Sequence, residues 1–344
     1  MDEYDSSCFV VGFEWTTRAG VPYNYLQMRI LAALVLGYYF VVGRVGAEIG
    51  SGAAGVSALP TGMTAAARSE LDRAVGASLE DVPVNTAADQ PVRRVTHGGR
   101  VIFIPDGCAS VQKPFDLVVH FHGAPTSLEP SFDKSGIGGV LAIVNLGIGS
   151  GAYEDAFQAP AAFNQFVTRV SEVVGEMCPG ASTGVKRIAL TGWSAGYGAV
   201  WRILDRQAGA DRVDAVLLSD GMHVGFEPDK KRERVVNAAA MAPFTLFADR
   251  AVSGEKLFAI THSSIVTPYA STTETASFLL QQENVARVPQ NLQGPRATMT
   301  LLSRGDRGSF HVQGYAGNDK PDHCDQLHAM GETLFPYLRE RWSR

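Results

Sequence analysis

Gly192-Trp193-Ser194-Ala195-Gly196 lies between the apolar run Ile188-Ala189-Leu190 and a segment of helical pattern, and it restricts the fold more than any other stretch. A serine in that setting sits where a strand turns abruptly into a helix. Such a turn needs small residues on both sides, because a side chain at 192 or 196 would strike the neighbouring strand or helix. The hydroxyl is then presented at a helix N-terminus, where backbone N–H groups can meet a developing oxyanion. In a chain with 36 glycines a bare Gly-x-Ser-x-Gly carries little weight. The strand before it and the helix after it are what make it read as a nucleophile elbow.

From Pro91 onward, strand and helix patterns alternate around this turn. Arg94–Thr96 and Arg100–Ile104, linked through His97-Gly98-Gly99, predict a hairpin. Phe115–Phe121 and Leu141–Asn145 are near-continuous apolar runs, as expected of parallel strands covered on both faces. Over Ala162–Met177, Phe163, Phe166, Val167, Val170 and Val174 share one helical side. Further strands are predicted at Lys186–Leu190, Val213–Leu218 and Lys256–Ile260. Helices are predicted after the elbow, around Lys230–Met241 and over Thr272–Gln282. Glu227–Gly254 reads as an ordinary helical layer or a small lid. Thr298–Leu302 and Ser309–Gly314 frame a predicted turn at Arg304–Gly308, and a last helix is predicted from Asp322 to Arg341. The expected fold class is α/β, a mostly parallel central sheet flanked by helices.

Serine is a poor nucleophile at neutral pH and needs a base held by a third group. His323 is the best candidate base. It follows the last strand and the polar loop from Ala316 to Asp322, and it opens a helix with Leu327, Met330 and Leu334 on its apolar face. Asp220, past Val216-Leu217-Leu218-Ser219 and before Gly221, is placed to accept the imidazole Nδ1–H. Glu274 is the other candidate acid, but Ser271-Thr272-Thr273-Glu274 spells a capping box and points to a helix-capping role. His262 at a strand end reads as pocket wall or as a buried, hydrogen-bonded residue, and His311 as a structural strand residue. An oxyanion hole needs two donors. The N–H of Ala195 is one; the other is assigned to Ala124, because Gly123 lets the chain turn after His120-Phe121-His122. Gly147–Tyr153 reads as a flexible loop walling a pocket, with Tyr153, Trp193 and Tyr197 as candidate substrate-binding side chains.

A strand ending in His-Gly, then Gly-Trp-Ser-Ala-Gly, then an acid after a later strand and a histidine after the last, resembles the α/β-hydrolase superfamily across residues 91–344. The resemblance implies an esterase- or lipase-like serine hydrolase, with Ser194 as nucleophile, His323 as base and Asp220 as acid. It would cleave carboxylic esters through an acyl-enzyme, with no cofactor and no metal. One departure stands out: in that superfamily the acid more often follows the seventh strand than the sixth. The substrate, a small-molecule or polymeric ester, does not come with the fold.

Two other classes compete. His120-x-His122 at a strand end matches the start of a metal-dependent amidohydrolase, with His262 and Asp220 recruited as further ligands. That reading leaves the glycine-flanked serine unexplained. A non-catalytic hydrolase-fold binding protein need not retain serine, histidine and aspartate together. Arg304-Gly305-Asp306 is an adhesion tripeptide by spelling only. The net charge of −5, with no basic stripe, gives no reason to expect a nucleic-acid partner.

The first 90 residues follow another logic. Ile30 to Val42 (ILAALVLGYYFVV) is uncharged and bounded by Arg29 and Arg44. It is shorter than the roughly 20 residues of a spanning helix and matches the apolar core of a signal peptide, with Val45-Gly46-Ala47 as a cleavage site. The expected organisation is an acidic extension over 1–27, a signal peptide or membrane anchor over 28–47, a linker over 48–90 and the α/β domain over 91–344. A secreted or periplasmic location follows, with anchoring through residues 30–42 as the variant. Cys8, Cys108, Cys178 and Cys324 lack C-x-x-C spacing, which argues against structural zinc. Export would permit a Cys108–Cys178 disulfide; unpaired thiols are the alternative.

Overall fold

Phe115, Leu117, Val119 and Phe121 pack on one face of strand β3 (Phe115–Phe121) and Val118 on the other, all fully buried. Covering on both faces is what the unbroken apolar run requires. The computed structural model describes residues 94–97, 100–108, 111, 114–179, 184–206 and 209–344. The expectations for the N-terminal extension, the apolar segment and the linker lie outside the described residues.

The other strands are β1 (Arg94–His97), β2 (Arg100–Phe103), β4 (Val140–Val144), β5 (Val185–Trp193), β6 (Val213–Ser219), β7 (Leu257–His262), β8 (Val288–Gln293), β9 (Thr300–Arg307) and β10 (Phe310–Tyr315). They form one sheet in the order β1-β2-β4-β3-β5-β6-β7-β10-β9-β8. The run from β4 to β10 is parallel throughout. β1 and β2 at one edge, and β9 and β8 at the other, pair antiparallel. The sheet is therefore mixed, with a parallel centre.

The helices are α1 (Pro125–Ser135), α2 (Ser150–Ala156), α3 (Ala162–Met177), α4 (Tyr197–Arg206), α5 (Ala238–Val252), α6 (Thr272–Gln282), α7 (Lys320–His328), α8 (Met330–Thr333) and α9 (Phe335–Trp342). Phe163 and Val170 of α3, Ile203 of α4, Phe244 of α5 and Leu279 of α6 share one apolar cluster with the Phe115 face. Leu128 and Phe132 of α1, Leu327 of α7, Met330 of α8 and Leu338 of α9 form the cluster on the opposite face. Among the described residues no helix is long and apolar enough to cross a membrane.

Several boundaries differ from the sequence expectation, each for a local reason. The helix expected around Lys230–Met241 begins only at Ala238, where the Asn237 side chain accepts the Ala240 N–H at 2.9 Å. Its burial of Met241, Phe244 and Ala248 makes the Ala238–Val252 part of the Glu227–Gly254 region a helical layer. The loop expected over Gly147–Tyr153 turns into α2 at Ser150. The single C-terminal helix is three pieces; Pro336 in the first turn of α9 has no N–H to continue a longer helix. Arg304-Gly305-Asp306 lies within β9, the turn to β10 being made by Gly308 at φ 59°. His311 is satisfied in its strand, bonded to Asp306 at 2.7 Å and stacked on Tyr337.

Cys108 and Cys178 are disulfide-bonded, their Cα atoms 5.2 Å apart and 70 residues apart in sequence. Closing a loop of that length stabilises the fold by about 4 kcal/mol on a chain-entropy argument. The bond ties the segment after β2 to the end of α3.

Candidate active site

Strand β5 ends at Trp193, and Ser194 takes φ 48° in the left-handed region, a strained conformation for a residue with a Cβ. A short 3₁₀ turn over Ser194–Gly196 then leads into α4. Contact leaves little room for a side chain at Gly192 and none at Gly196. A Cβ on Gly192 would lie 3.2 Å from the Gly196 carbonyl carbon, and one on Gly196 only 2.0 Å from the Phe121 carbonyl oxygen. Gly196→Ala must therefore push β3 away from the turn. A loss of about 3 kcal/mol or more is expected, seen as a fall of roughly 6 °C or more in thermal midpoint. An unchanged midpoint would mean that the turn is not packed against β3.

Asp220 follows β6 directly, also at positive φ (42°), with 2% of its surface exposed. Its Oδ2 accepts from His323 Nδ1 at 2.7 Å, and its Oδ1 accepts from the Ser263 N–H at 2.8 Å and the Thr272 hydroxyl at 2.7 Å. Burial alone would push this carboxyl up. The hydrogen bond and charge of His323, with the Thr272 and Ser263 bonds, outweigh it and hold the group well below the usual carboxylate range. Ser263 follows β7 and Thr272 opens α6, so the region after the seventh strand supplies two donors to Asp220. Glu274 is occupied elsewhere: it accepts from the Ser271 N–H at 2.8 Å in a capping box and pairs with Arg234 at 2.6 Å. The turn after Asp220 lies against Ser194, since a Cβ on Gly221 would come within 2.5 Å of the Ser194 nitrogen.

His323 sits in the second turn of α7, whose start is capped by Asp319. Its ring lies 4.7 Å from the Trp193 ring, and the Trp193 Nε1–H donates to the His323 carbonyl at 2.9 Å. His122 stacks on Trp193 at 5.1 Å and shares a 2.8 Å hydrogen bond with the Tyr153 hydroxyl. Trp193 and Tyr153, expected in the pocket wall, are instead buried behind it. Tyr153 is fully enclosed and its hydroxyl also accepts the Leu146 N–H; neither residue lines the two cavities around Ser194. They buttress the histidines.

Those cavities meet at the serine. The larger, about 660 Å³, is lined by Ser194 and Ala195 together with His122, Tyr197, His223 and Tyr269, and extends to Ser150, Glu154 and Trp201. The smaller, about 330 Å³, brings Ser194, Asp220 and His323 to one space, again with His223 and Tyr269. His223 escaped the sequence reading; its only signal is its place three residues beyond Asp220.

The turn after β3 is fixed by polar groups. The N–H of His122, at φ 67°, donates to the Val144 carbonyl at 3.1 Å. The Gly123 N–H donates to Asn145 Oδ1 at 2.9 Å, while Asn145 Nδ2 returns a bond to the Gly123 carbonyl at 2.7 Å. Ala124 is the N-cap of α1. His120 is buried beneath, its Nε2 bonded to the His122 carbonyl and its Nδ1 to the Thr191 hydroxyl, both at 2.8 Å. Burial pushes His120 down to about 3, with the His122 carbonyl bond working in the opposite sense. His122 is pushed to about 4 by burial and then by the charge of His323.

With both ring nitrogens engaged, His120 offers no lone pair to a metal, so the His120/His122 ligand reading fails on geometry. Among the described residues no group of three or more His, Cys, Asp or Glu side chains gathers for an ion. His262 is the buried, hydrogen-bonded residue of the two alternatives, engaged by Thr273 and Arg287, each at 3.0 Å.

The parallel core, with Ser194 at the sharp turn after β5, Asp220 directly after β6 and His323 in the helix after β10, has the arrangement that the sequence resemblance predicted. The chain is similar to several solved structures. One is an α/β-hydrolase fold protein of unknown function, 12% identical, with TM-score 0.36, covering 74% of this chain and 98% of that one. Another is LpqC, a poly(3-hydroxybutyrate) depolymerase from Bordetella parapertussis, 14% identical, with TM-score 0.35, covering 67% and 84%. A third is the Pyrococcus furiosus esterase Pf2001, 11% identical, with TM-score 0.36, covering 71% and 86%. No protein-family model and no curated protein matches the sequence.

Proposed function

We propose that this protein is a serine hydrolase that cleaves carboxylic esters through an acyl-enzyme. The observation that carries the reading is the 2.7 Å bond between His323 and Asp220, in a cavity that Ser194 also lines. Ser194 Oγ attacks the ester carbonyl carbon while His323 Nε2 takes its proton, and ionised Asp220 stabilises the resulting imidazolium. The N–H groups of Ala195 and Ala124 hold the oxyanion. Ala124 is favoured because its two predecessors, His122 and Gly123, already donate to Val144 and Asn145. The imidazolium then protonates the leaving alcohol, and water activated by His323 attacks the acyl-enzyme to release the acid. The substrate is a small-molecule or polymeric ester, and catalysis needs no cofactor. Export, with residues 30–42 as signal or anchor, belongs to the same proposal, and the Cys108–Cys178 disulfide supports an oxidising compartment.

A fluorophosphonate probe tests it directly. The expected result is one covalent adduct, mapped to Ser194, with ester turnover indifferent to chelator. Chelator-sensitive turnover without an adduct would favour a metal enzyme, and neither adduct nor turnover would favour a binding protein.

A further inference from the structure

His223 lines both cavities at Ser194, yet acyl transfer through Ser194, His323 and Asp220 leaves it without a task. Its Nδ1 lies 3.1 Å from the Ala270 carbonyl, an acceptor, so that nitrogen carries the proton. The ring is gripped edge-on between Tyr197 at 5.5 Å and Tyr269 at 5.0 Å. Nε2 is therefore a lone-pair acceptor, and among the described residues it has no hydrogen-bond partner. Burial lowers the pKa of His223, which keeps the ring neutral; the Ala270 carbonyl and Asp220 oppose that shift and the charge of His323 assists it.

The rest of the larger cavity points the same way. Two of its donors are already committed, the Tyr197 hydroxyl to Ser150 Oγ at 3.2 Å and the Trp201 Nε1–H to the Ala240 carbonyl at 2.7 Å. The Glu154 carboxylate on the same wall is a further acceptor. A lone-pair acceptor set into the wall beside the serine suits a ligand that brings a donor of its own. Which part of an ester enters follows from proton transfer. The leaving alcohol must be near His323 to receive its proton, so it belongs in the smaller cavity that His323 lines. The acyl part then occupies the larger cavity, which Ala195 lines and His323 does not.

We infer that His223 is a specificity residue that accepts a hydrogen bond from a hydroxyl on the acyl chain, so that hydroxyacyl esters are preferred over plain alkanoyl esters. The inference rests on the hydrolase reading and deepens it. The test compares p-nitrophenyl 2- and 3-hydroxybutanoate with p-nitrophenyl butanoate, each rate divided by its spontaneous hydrolysis. In the parent protein kcat/KM for the better hydroxy ester should exceed that for butanoate by roughly tenfold, the scale of one net hydrogen bond. His223→Phe should bring the ratio close to one. A merely structural role would depress both esters alike and leave the ratio standing, which overturns the assignment. So does a parent ratio near one, a result that needs no variant. Competitive inhibition of the parent by 3-hydroxybutanoate and butanoate gives a second measurement, with the hydroxy acid expected to bind tighter and equal binding counting against the proposal. Absence of a Ser194 adduct with the fluorophosphonate would instead remove the hydrolase reading itself.

Discussion

Ser194→Ala is expected to lower kcat/KM for p-nitrophenyl esters by about 10⁴-fold or more and to abolish the fluorophosphonate adduct. Only Oγ is removed. Alanine keeps the Cβ that the turn already tolerates at φ 48°, so the backbone strain is unchanged and the thermal midpoint should stay with the parent. The contrast with Gly196→Ala is instructive. There one added carbon meets the Phe121 carbonyl at 2.0 Å and the penalty falls on the fold. Two substitutions to alanine in the same five residues should thus separate chemistry from architecture. Activity of Ser194→Ala near the parent level would mean that another group attacks the substrate.

That separation explains what the sequence could disclose. The elbow was legible because its glycines answer a steric demand within a few residues of the serine. Strand β3 was legible because burial on both faces leaves an unbroken apolar run, and α6 because its capping box is spelled out at Ser271 and Glu274. Asp220 and His323 could be nominated from their positions after β6 and β10, and the structure gathers them with Ser194 around one cavity. Side-chain direction was not legible in the same way. Trp193 adjoins the serine in sequence, but its side chain packs in the cluster on the α1 and α7 face of the sheet. Tyr153 was read as loop and lies within α2, turned into the core. Helix α1 carries two prolines, Pro125 in its first turn, where one is tolerated, and Pro130 within it, and its sequence has no clear helical signature. Asn145, Ser263, Thr272 and His223 are single polar residues that long-range folding brings to the site, and no local pattern marks them.

Asp220→Asn should reduce kcat by about 10³- to 10⁴-fold with a smaller effect on KM, whereas Glu274→Gln should change kcat by no more than about twofold. An amide at position 220 cannot stabilise the imidazolium, and by donating to Nδ1 it would favour the wrong tautomer of His323. Glu274 bonds the Ser271 N–H and Arg234, so its loss should appear as a lower thermal midpoint with the chemistry intact. The pH dependence of stability gives an independent readout on Asp220. Its carboxyl lies lower in the folded protein than the unfolded value of about 3.9, so its contribution is fully present above that value and is lost as pH falls through the depressed folded one. The stability that the ionised carboxyl confers on the parent over Asp220→Asn should accordingly shrink as pH falls below about 4. A difference that stayed constant from about pH 5 to pH 2 would show that folding does not hold this carboxyl below its unfolded value. Full kcat in Asp220→Asn, joined to its collapse in Glu274→Gln, would move the acid to α6 and leave the 2.7 Å His323 bond as architecture alone.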